Sequence, residues 1–490
     1  MLDSARCLES RDTYRRMIDF CAERGITILL WHFTDDQGCS LRFDSMPEIA
    51  SPNAYSKEEM RSLVEYAGER GVTLAPELET LGHSRYITGC SRYKHLLESD
   101  LDFTAICPVA RETRQIMSKL LAEVAGIFTS PWIHVGMDEV NFGGHRLTRK
   151  ALETKSSKEI LLDYVHFIHG EVVSLGKRMM MWGDRRTVEQ GIAPSIPTDV
   201  IIANWQYSAQ VSQEQIRYFL NLGLDVMLCP ALITYDQQFL PGTQLAFANI
   251  GAMADNLHLS GEGKVLGVVT TVWTGTRYFH DAQWLGLGIA CELMKLGSQA
   301  SFPAAVRKTI QSFYGCETID GSLMRALLEV LDLAPLREEF LSVLRLKAFH
   351  GLNAEQCRAR AVRWAAIGDA LDAAAHTIRK NRRPFDTFRF AVELMRYLYV
   401  RAGSLLSASP GEDPASPADI AALGRMLYLR MLKIWDAERF EDDPRKGNPV
   451  FAFDRAENLL LMFRESLDRF GALMKKMPEL SSAYSGGIDE

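Results

Sequence analysis

Apolar residues in the first three hundred positions come in short runs separated by amphipathic stretches. The runs are Gly25–Phe33, Val72–Glu77, Trp132–Met137, Arg178–Trp182, Val200–Trp205, Leu224–Cys229 and Val265–Trp273, and the opening Leu2–Ala5 makes an eighth. Between them, stretches such as Ser56–Arg70, Thr113–Phe128, Ile160–Leu175 and Gln213–Leu222 repeat their apolar positions with helical period. Short, nearly unbroken apolar runs predict strands buried on both faces, as in a parallel sheet, and the amphipathic stretches predict crossover helices. Eight such units predict a (β/α)8 TIM barrel over residues 1–300. An open doubly wound sheet is the alternative, and the lack of a glycine fingerprint after an early strand weighs against it. Beyond residue 300 strand-like runs stop. Long 3.6-period patterns replace them at Gly321–Phe349, Asn353–Lys380, Thr387–Leu406, Ala418–Phe440 and Arg455–Met477, with a polar break at Ser409–Pro414. The prediction is an α/β chain: a TIM barrel followed by an all-α C-terminal domain over residues 301–490, one side of which is available for a homodimer.

Bulk properties narrow the functional classes. The chain has 490 residues, 47% of them hydrophobic and 24% charged, as in ordinary globular proteins. A net charge of −7 without a basic stripe argues against nucleic acid as a partner. No apolar run approaches the roughly 20 residues that span a bilayer, so no membrane association is expected. The nine cysteines are scattered, with no spacing that suggests a metal, and point to reduced thiols and a cytoplasmic setting. Neither a metal nor another cofactor is expected. The opening Met1–Arg6 already reads as the end of a strand, so residues preceding it are expected upstream.

Chemistry-bearing residues gather where the strands end. The run Trp132-Ile133-His134-Val135-Gly136-Met137 stops at two adjacent carboxylates, Asp138 and Glu139. Strand one leads to Arg6, strand two to Asp35-Asp36-Gln37-Gly38, and strand three from Glu77 to Gly82-His83. Strand five gives Trp182-Gly183-Asp184, strand six Trp205-Gln206-Tyr207, strand seven Tyr235-Asp236 and strand eight Trp273. C-terminal strand ends are where α/β barrels do chemistry. Each feature has a bland reading: a packing tryptophan, a turn with a helix cap, a solvated acid pair. Their coincidence at one end of all eight strands favours a site, and aromatic walls with carboxylates suit a sugar. Paired carboxylates, one with a raised pKa, are what glycosidic cleavage requires.

The set resembles glycoside hydrolase family 20, the β-N-acetylhexosaminidases. The resemblance rests on His134-Val135-Gly136-Met137-Asp138-Glu139 against H-x-G-G-D-E, Arg6 after Leu2-Asp3, His32–Gly38 against H-L-T-D-D-Q-G, and Pro76–His83 against P-E-I-D-x-P-G-H. It runs from Met1 to about Glu292. The Trp273-to-Tyr278 ending and the helical C-terminal part look closest to the hexosaminidase D-type branch. The resemblance implies a retaining exo-enzyme that removes terminal β-linked GlcNAc or GalNAc, with the substrate's own 2-acetamido oxygen as nucleophile. By motif position, Glu139 is the acid and base, Asp138 orients the acetamido group, and Asp35 with His83 form a relay behind the acid. Desolvation and proximity are expected to raise the acid's pKa. Arg6 grips hydroxyls, and Trp182, Trp205 and Trp273 wall the sugar and its acetamido methyl. Tyr235, with Tyr207 as the alternative, bonds the acetamido carbonyl, and Asp184 and Asp236 bind hydroxyls at C4 and C6.

This chain departs from the family pattern at Met137, where a second glycine is usual, at Glu79 and Leu81, which stand for Asp and Pro, and at Gly275, where many members carry a glutamate. The last leaves gluco or galacto preference open. Two rivals remain: a non-catalytic carbohydrate-binding barrel, and a retaining glycosidase with a protein carboxylate nucleophile, for which Glu77 is the candidate.

Overall fold

The computed structural model describes residues 1–100, 104–141, 143–183, 191–234, 240, 242–273, 275–299, 301–335, 337–347, 349, 351–407, 416–439 and 458–484, with side chains up to 473. Eight strands form one curled parallel sheet in sequence order: β1 (Leu2–Asp3), β2 (Ile28–His32), β3 (Thr73–Glu77), β4 (Trp132–His134), β5 (Arg178–Gly183), β6 (Ile201–Trp205), β7 (Asp225–Cys229) and β8 (Val265–Val268). Helices such as Arg11–Arg24, Lys57–Gly68, Arg111–Ala125 and Ser157–Ser174 make the crossovers. The Met1 amino group donates to the Thr270 carbonyl oxygen at 2.7 Å, so the first strand lies beside the chain that follows the eighth. This is the TIM-like α/β fold that the hydrophobic pattern predicts.

Strand parity sets the layers, because alternate residues point to opposite faces. Leu30, Ala75, Met180, Ile201, Ala203, Met227 and Cys229 form the inner core, while their strand neighbours Leu29, Leu74, Met179, Ile202, Val226 and Leu228 are buried on the other face. Both faces are apolar, which is why the strands read as continuous runs. The same parity brings His32 in after Leu30 and Glu77 in after Ala75. Register then aligns Asp3 with His32, His32 with Glu77, and Glu77 with His134 across four adjacent strands.

Several predicted boundaries change for local reasons. The strand expected over Trp132–Met137 ends at His134, because Gly136 and Met137 adopt φ of 67° and 76°. The run Val265–Trp273 splits into β8 and a bridge at Thr271–Val272, which pairs with Ala231–Ile233. The helix expected over Gly321–Phe349 is two, Gly321–Leu333 and Arg337–Arg345, with Pro335 between them. The predicted break at Ser409–Pro414 lies outside the described residues.

Two compact units emerge: residues 1–234, 245–275 and 290–300, and residues 235–244, 276–289 and 301–490. The second is helical, with its longest pieces at Ala354–Ala374, Arg382–Leu406, Pro417–Glu438 and Leu459–Tyr484. Its buried Arg401 donates to the Val343 and Leu344 carbonyl oxygens and to Ser466 Oγ, which satisfies the end of the Arg337–Arg345 helix. Among the described residues no helix is long and apolar enough to cross a membrane.

Two glycines let the strand-end loops touch. A Cβ on Gly82 would lie 2.3 Å from the Asp138 carbonyl oxygen, and one on Gly136 would lie 1.7 Å from Glu79 Oε2. Gly136 also has the positive φ that side chains resist. Gly136→Ala is therefore expected to lower stability by about 2–4 kcal/mol, from left-handed strain plus overpacking. A urea midpoint equal to that of the unaltered protein would contradict this account.

Candidate active site

The mouth of the first unit is built around Asp35, in the short hairpin that follows β2. Its Oδ2 accepts from Arg6 at 2.7 Å and from His32 Nε2 at 2.8 Å. Its Oδ1 accepts from the Asp36 backbone N–H at 2.6 Å and lies 3.4 Å from His83 Nδ1. Arg6 also donates to Asp3 at 2.9 Å. Burial opposes ionisation of Asp35, but Arg6 and His83 outweigh it and hold the carboxyl well below the usual range. Burial likewise works against the Arg6 cation, and Asp35 and Asp3 overcome it, so Arg6 stays charged.

His83 connects this hub to the acid pair. Its Nδ1 is 3.2 Å from Asp36 Oδ2, and its Nε2 faces Glu139 Oε2 at 3.6 Å and Asp138 Oδ2 at 3.8 Å. Burial disfavours its cation, yet Asp35 and Asp138 raise its pKa well above the ordinary histidine value. The strand parity that would send adjacent carboxylates apart is broken here. His83, Met137 and Glu139 have φ of 46°, 76° and 50°, so the chain turns and both acids reach one imidazole. Strained backbone of this kind gathers at functional sites, where the surroundings hold it in place. The Asp138 side chain is 15% exposed and that of Glu139 55%. The desolvation expected for Glu139 is thus not supplied by the protein itself.

Beneath the pair lies a second layer, in which the sequence had assigned only Glu77, as a rival nucleophile, and Trp182, as a wall of the sugar site. His32 Nδ1 is 3.0 Å from Glu77 Oε2, and Trp182 Nε1–H donates to Glu77 Oε1 at 2.8 Å. Burial works against the His32 cation, while Glu77 and Asp35 more than compensate and hold its pKa well above the ordinary value. His134 is the opposite case. Its Nδ1 accepts the Gly136 N–H at 3.2 Å, so the 3.5 Å approach to Glu77 is not a hydrogen bond, and burial pushes its pKa down to about 4. Glu79 is buried against Gly136, and burial together with Asp138 raises its pKa well above the carboxylate range, so it is a neutral acid. Two sets here have donor atoms within 4.8 Å of one another: His32, Glu77 and Glu79, and Asp35, Asp36 and His83. The raised pKa of both imidazoles keeps them protonated, which opposes a divalent cation at either set.

Aromatic rings line the same mouth. The Trp182 centroid is 4.4 Å from that of His134 and 5.9 Å from that of Trp273. Trp273 stands edge-on to His32 at 5.1 Å, under the Arg6 guanidinium at 5.3 Å. Tyr207 accepts the Trp273 Nε1–H at 2.8 Å and lies tilted against Trp205, with ring centroids 5.1 Å apart.

The structure therefore brings together Arg6, Asp35, His83, Asp138, Glu139, Trp182, Trp205, Tyr207 and Trp273. Asp184, Tyr235 and Asp236 lie outside the described residues. Glu77, the rival nucleophile, is fully buried and held between Trp182 and His32. Trp31, on β2 beside His32, donates to Ser4 Oγ and packs on Tyr14 and Tyr55. The missed residues are His32, His134 and Asp3. Parity from Leu30 could have found His32, but its partners depend on register.

Residues 1–276 match the family model described as glycosyl hydrolase family 20, catalytic domain. Among curated relatives, a beta-hexosaminidase of Vibrio furnissii is 27% identical over 274 residues, covering 48% of this chain and 43% of the relative. The beta-hexosaminidase subunit beta of Homo sapiens is 24% identical over 264 residues, covering 49% and 46%. The chain thus spans less than half the length of these relatives. A Flavobacterium johnsoniae chitobiase structure aligns with a TM-score of 0.55 at 17% identity, covering 96% of this chain and 77% of the other. The exo beta-N-acetylglucosaminidase of Vibrio harveyi gives 0.51 at 21%, covering 63% and 56%.

His134 yields a stability prediction. An unfolded histidine takes a proton below pH 6.5, which the folded site refuses until about pH 4. Stability is therefore lost as pH falls from 6.5 towards 4, by on the order of 3 kcal/mol at about 1.4 kcal/mol per pH unit. His134→Asn, which keeps an acceptor for Gly136, is expected to flatten the urea midpoint against pH over this interval. An unchanged slope would rule the assignment out.

Proposed function

Since the chain belongs to glycosyl hydrolase family 20, we propose that it is a retaining exo-β-N-acetylhexosaminidase, removing terminal β-linked GlcNAc or GalNAc by substrate-assisted catalysis. The observation that carries this reading is the pair Asp138 and Glu139 facing the same His83 nitrogen, with Asp35 and Asp36 behind the imidazole.

Glu139, the more exposed of the two, protonates the departing glycosidic oxygen. The substrate's acetamido oxygen attacks the anomeric carbon from the other face and forms an oxazolinium ion. Asp138 accepts the acetamido N–H and stabilises the positive charge that develops. Water then enters with Glu139 as base, which restores the carboxylic acid and retains configuration. A bound sugar also excludes water from Glu139 and so favours its protonated form. Trp182 and Trp273 wall the acetamido group and ring, with Trp205 beside them. Arg6, fixed by Asp3 and Asp35, presents its remaining donors to sugar hydroxyls. Tyr207 is anchored by Trp273 and stands as the described candidate for the acetamido carbonyl, with Tyr235 as the other. Asp184 and Asp236 are the proposed partners for hydroxyls at C4 and C6. A reducing, cytoplasmic setting is consistent with nine unbridged cysteines.

The decisive measurement is hydrolysis of chromogenic β-GlcNAc and β-GalNAc glycosides, with and without a thiazoline analogue of the oxazolinium ion. Turnover blocked by the thiazoline is expected, and the ratio of the two rates reports the preference at C4. Asp138→Asn and Glu139→Gln are each expected to lower turnover by about two orders of magnitude or more. Near-normal rates in both variants would refute the assignment. Sugar binding without turnover would instead identify a non-catalytic barrel.

A further inference from the structure

We infer that His32, clamped between Glu77 and Asp35, is a positioning residue for proton delivery by Glu139. This deepens the hexosaminidase reading and rests on it. The two oxygens of Asp35 have different partners. Its Oδ2 is taken by Arg6 and by His32 Nε2, at 2.7 and 2.8 Å, while Oδ1 accepts the Asp36 N–H at 2.6 Å and faces His83 Nδ1 at 3.4 Å. A carboxylate is free to rotate about its terminal torsion unless both oxygens are engaged. The Arg6 side chain is 16% exposed, whereas His32 is buried and lies on the barrel wall. His32 is thus the buried side chain that holds Oδ2 of Asp35 when Arg6 engages a sugar, while the Asp36 backbone N–H holds Oδ1.

His32 is itself immobilised from every side. Glu77, the register neighbour on β3, lies 3.0 Å from Nδ1, Trp273 stands edge-on to the ring, and Asp3 is the register neighbour on β1. Glu79 and the neutral His134 complete the ionisable surroundings. Glu77 is held in turn by the Trp182 indole, so one chain of contacts runs Trp182–Glu77–His32–Asp35–His83–Glu139. Its two ends are a wall of the sugar pocket and the acid. Occupation of the pocket and orientation of the acid's partner are coupled through His32. As Glu139 gives its proton to the leaving oxygen, its new negative charge faces His83, whose placement depends on Asp35.

The consequence concerns leaving groups. Departure of a basic alkoxide requires proton transfer, whereas a dinitrophenolate leaves without it. The test measures kcat/KM of the full chain on dinitrophenyl, phenyl and alkyl β-N-acetylglucosaminides, for the unaltered protein and for His32→Gln. The variant is expected to lose about tenfold or more on the alkyl glycoside relative to the dinitrophenyl one, with thiazoline affinity retained. Should His32→Gln fail to fold, Glu77→Gln keeps an acceptor for Trp182 and removes the charge facing His32. It is expected to show the same selectivity, to a smaller extent. Equal losses on all three substrates, or no loss, would overturn the role of His32. If the unaltered protein turned over none of them and bound no thiazoline, the hexosaminidase reading itself would fall, and this inference with it.

Discussion

Asp35 is almost wholly buried and yet ionised, because Arg6, His32 and His83 share its two oxygens. An isolated carboxylate at that depth would neutralise itself, so the three cations are a condition of its charge. The dependence is mutual: each cation loses water on entering the barrel mouth and is compensated in part by Asp35, with Glu77 the larger partner of His32 and Asp138 a second partner of His83. Removing one partner of such a set costs more than the set contributes as a whole, since it strands the remaining charges. The barrel strands supply the positions, and the shared anion makes those positions tenable.

The same shortage of dielectric sorts the remaining titratable groups into charged and neutral. Glu77 keeps its charge because His32 lies beside it, whereas at Glu79 burial and Asp138 outweigh His83 and His32, and the carboxyl pKa is raised well above the usual range. His134, which accepts a backbone N–H, is neutral, while His32 two strands away is cationic. Pairs of like groups driven apart by their surroundings are a mark of acid–base sites. Here the sorting reaches one layer below the acids that would touch a substrate.

Backbone strain does comparable work at the surface of the site. His83, Met137 and Glu139 occupy left-handed conformations, and Gly82 and Gly136 permit the backbone-to-loop contacts that hold them. Met137 adopts the conformation a glycine would take without cost, at the position where the family usually carries one. The strain is tolerated because the loops after β3 and β4 are tied by Thr80 Oγ1 donating to the Val135 carbonyl oxygen at 2.8 Å and Leu78 N–H donating to that of His134 at 2.9 Å.

Periodicity alone determined the strand and helix alternation, since burial on both faces leaves apolar runs that no loop would sustain. Motif spacing likewise sufficed to place Arg6, Asp35, His83, Asp138 and Glu139 near one another, because each lies in a loop that leaves a strand end whose direction the barrel fixes. Composition could not tell Glu77 as a nucleophile from Glu77 as a buried clamp, nor foresee that His32 and His134 carry different charges. Those outcomes depend on register across β1 to β4, on which nitrogen meets a backbone N–H, and on how deeply each group is desolvated. Such quantities are properties of neighbours distant in the chain. Only the folded barrel brings Asp3, His32, Glu77 and His134 side by side, and their electrostatics exist only once it does.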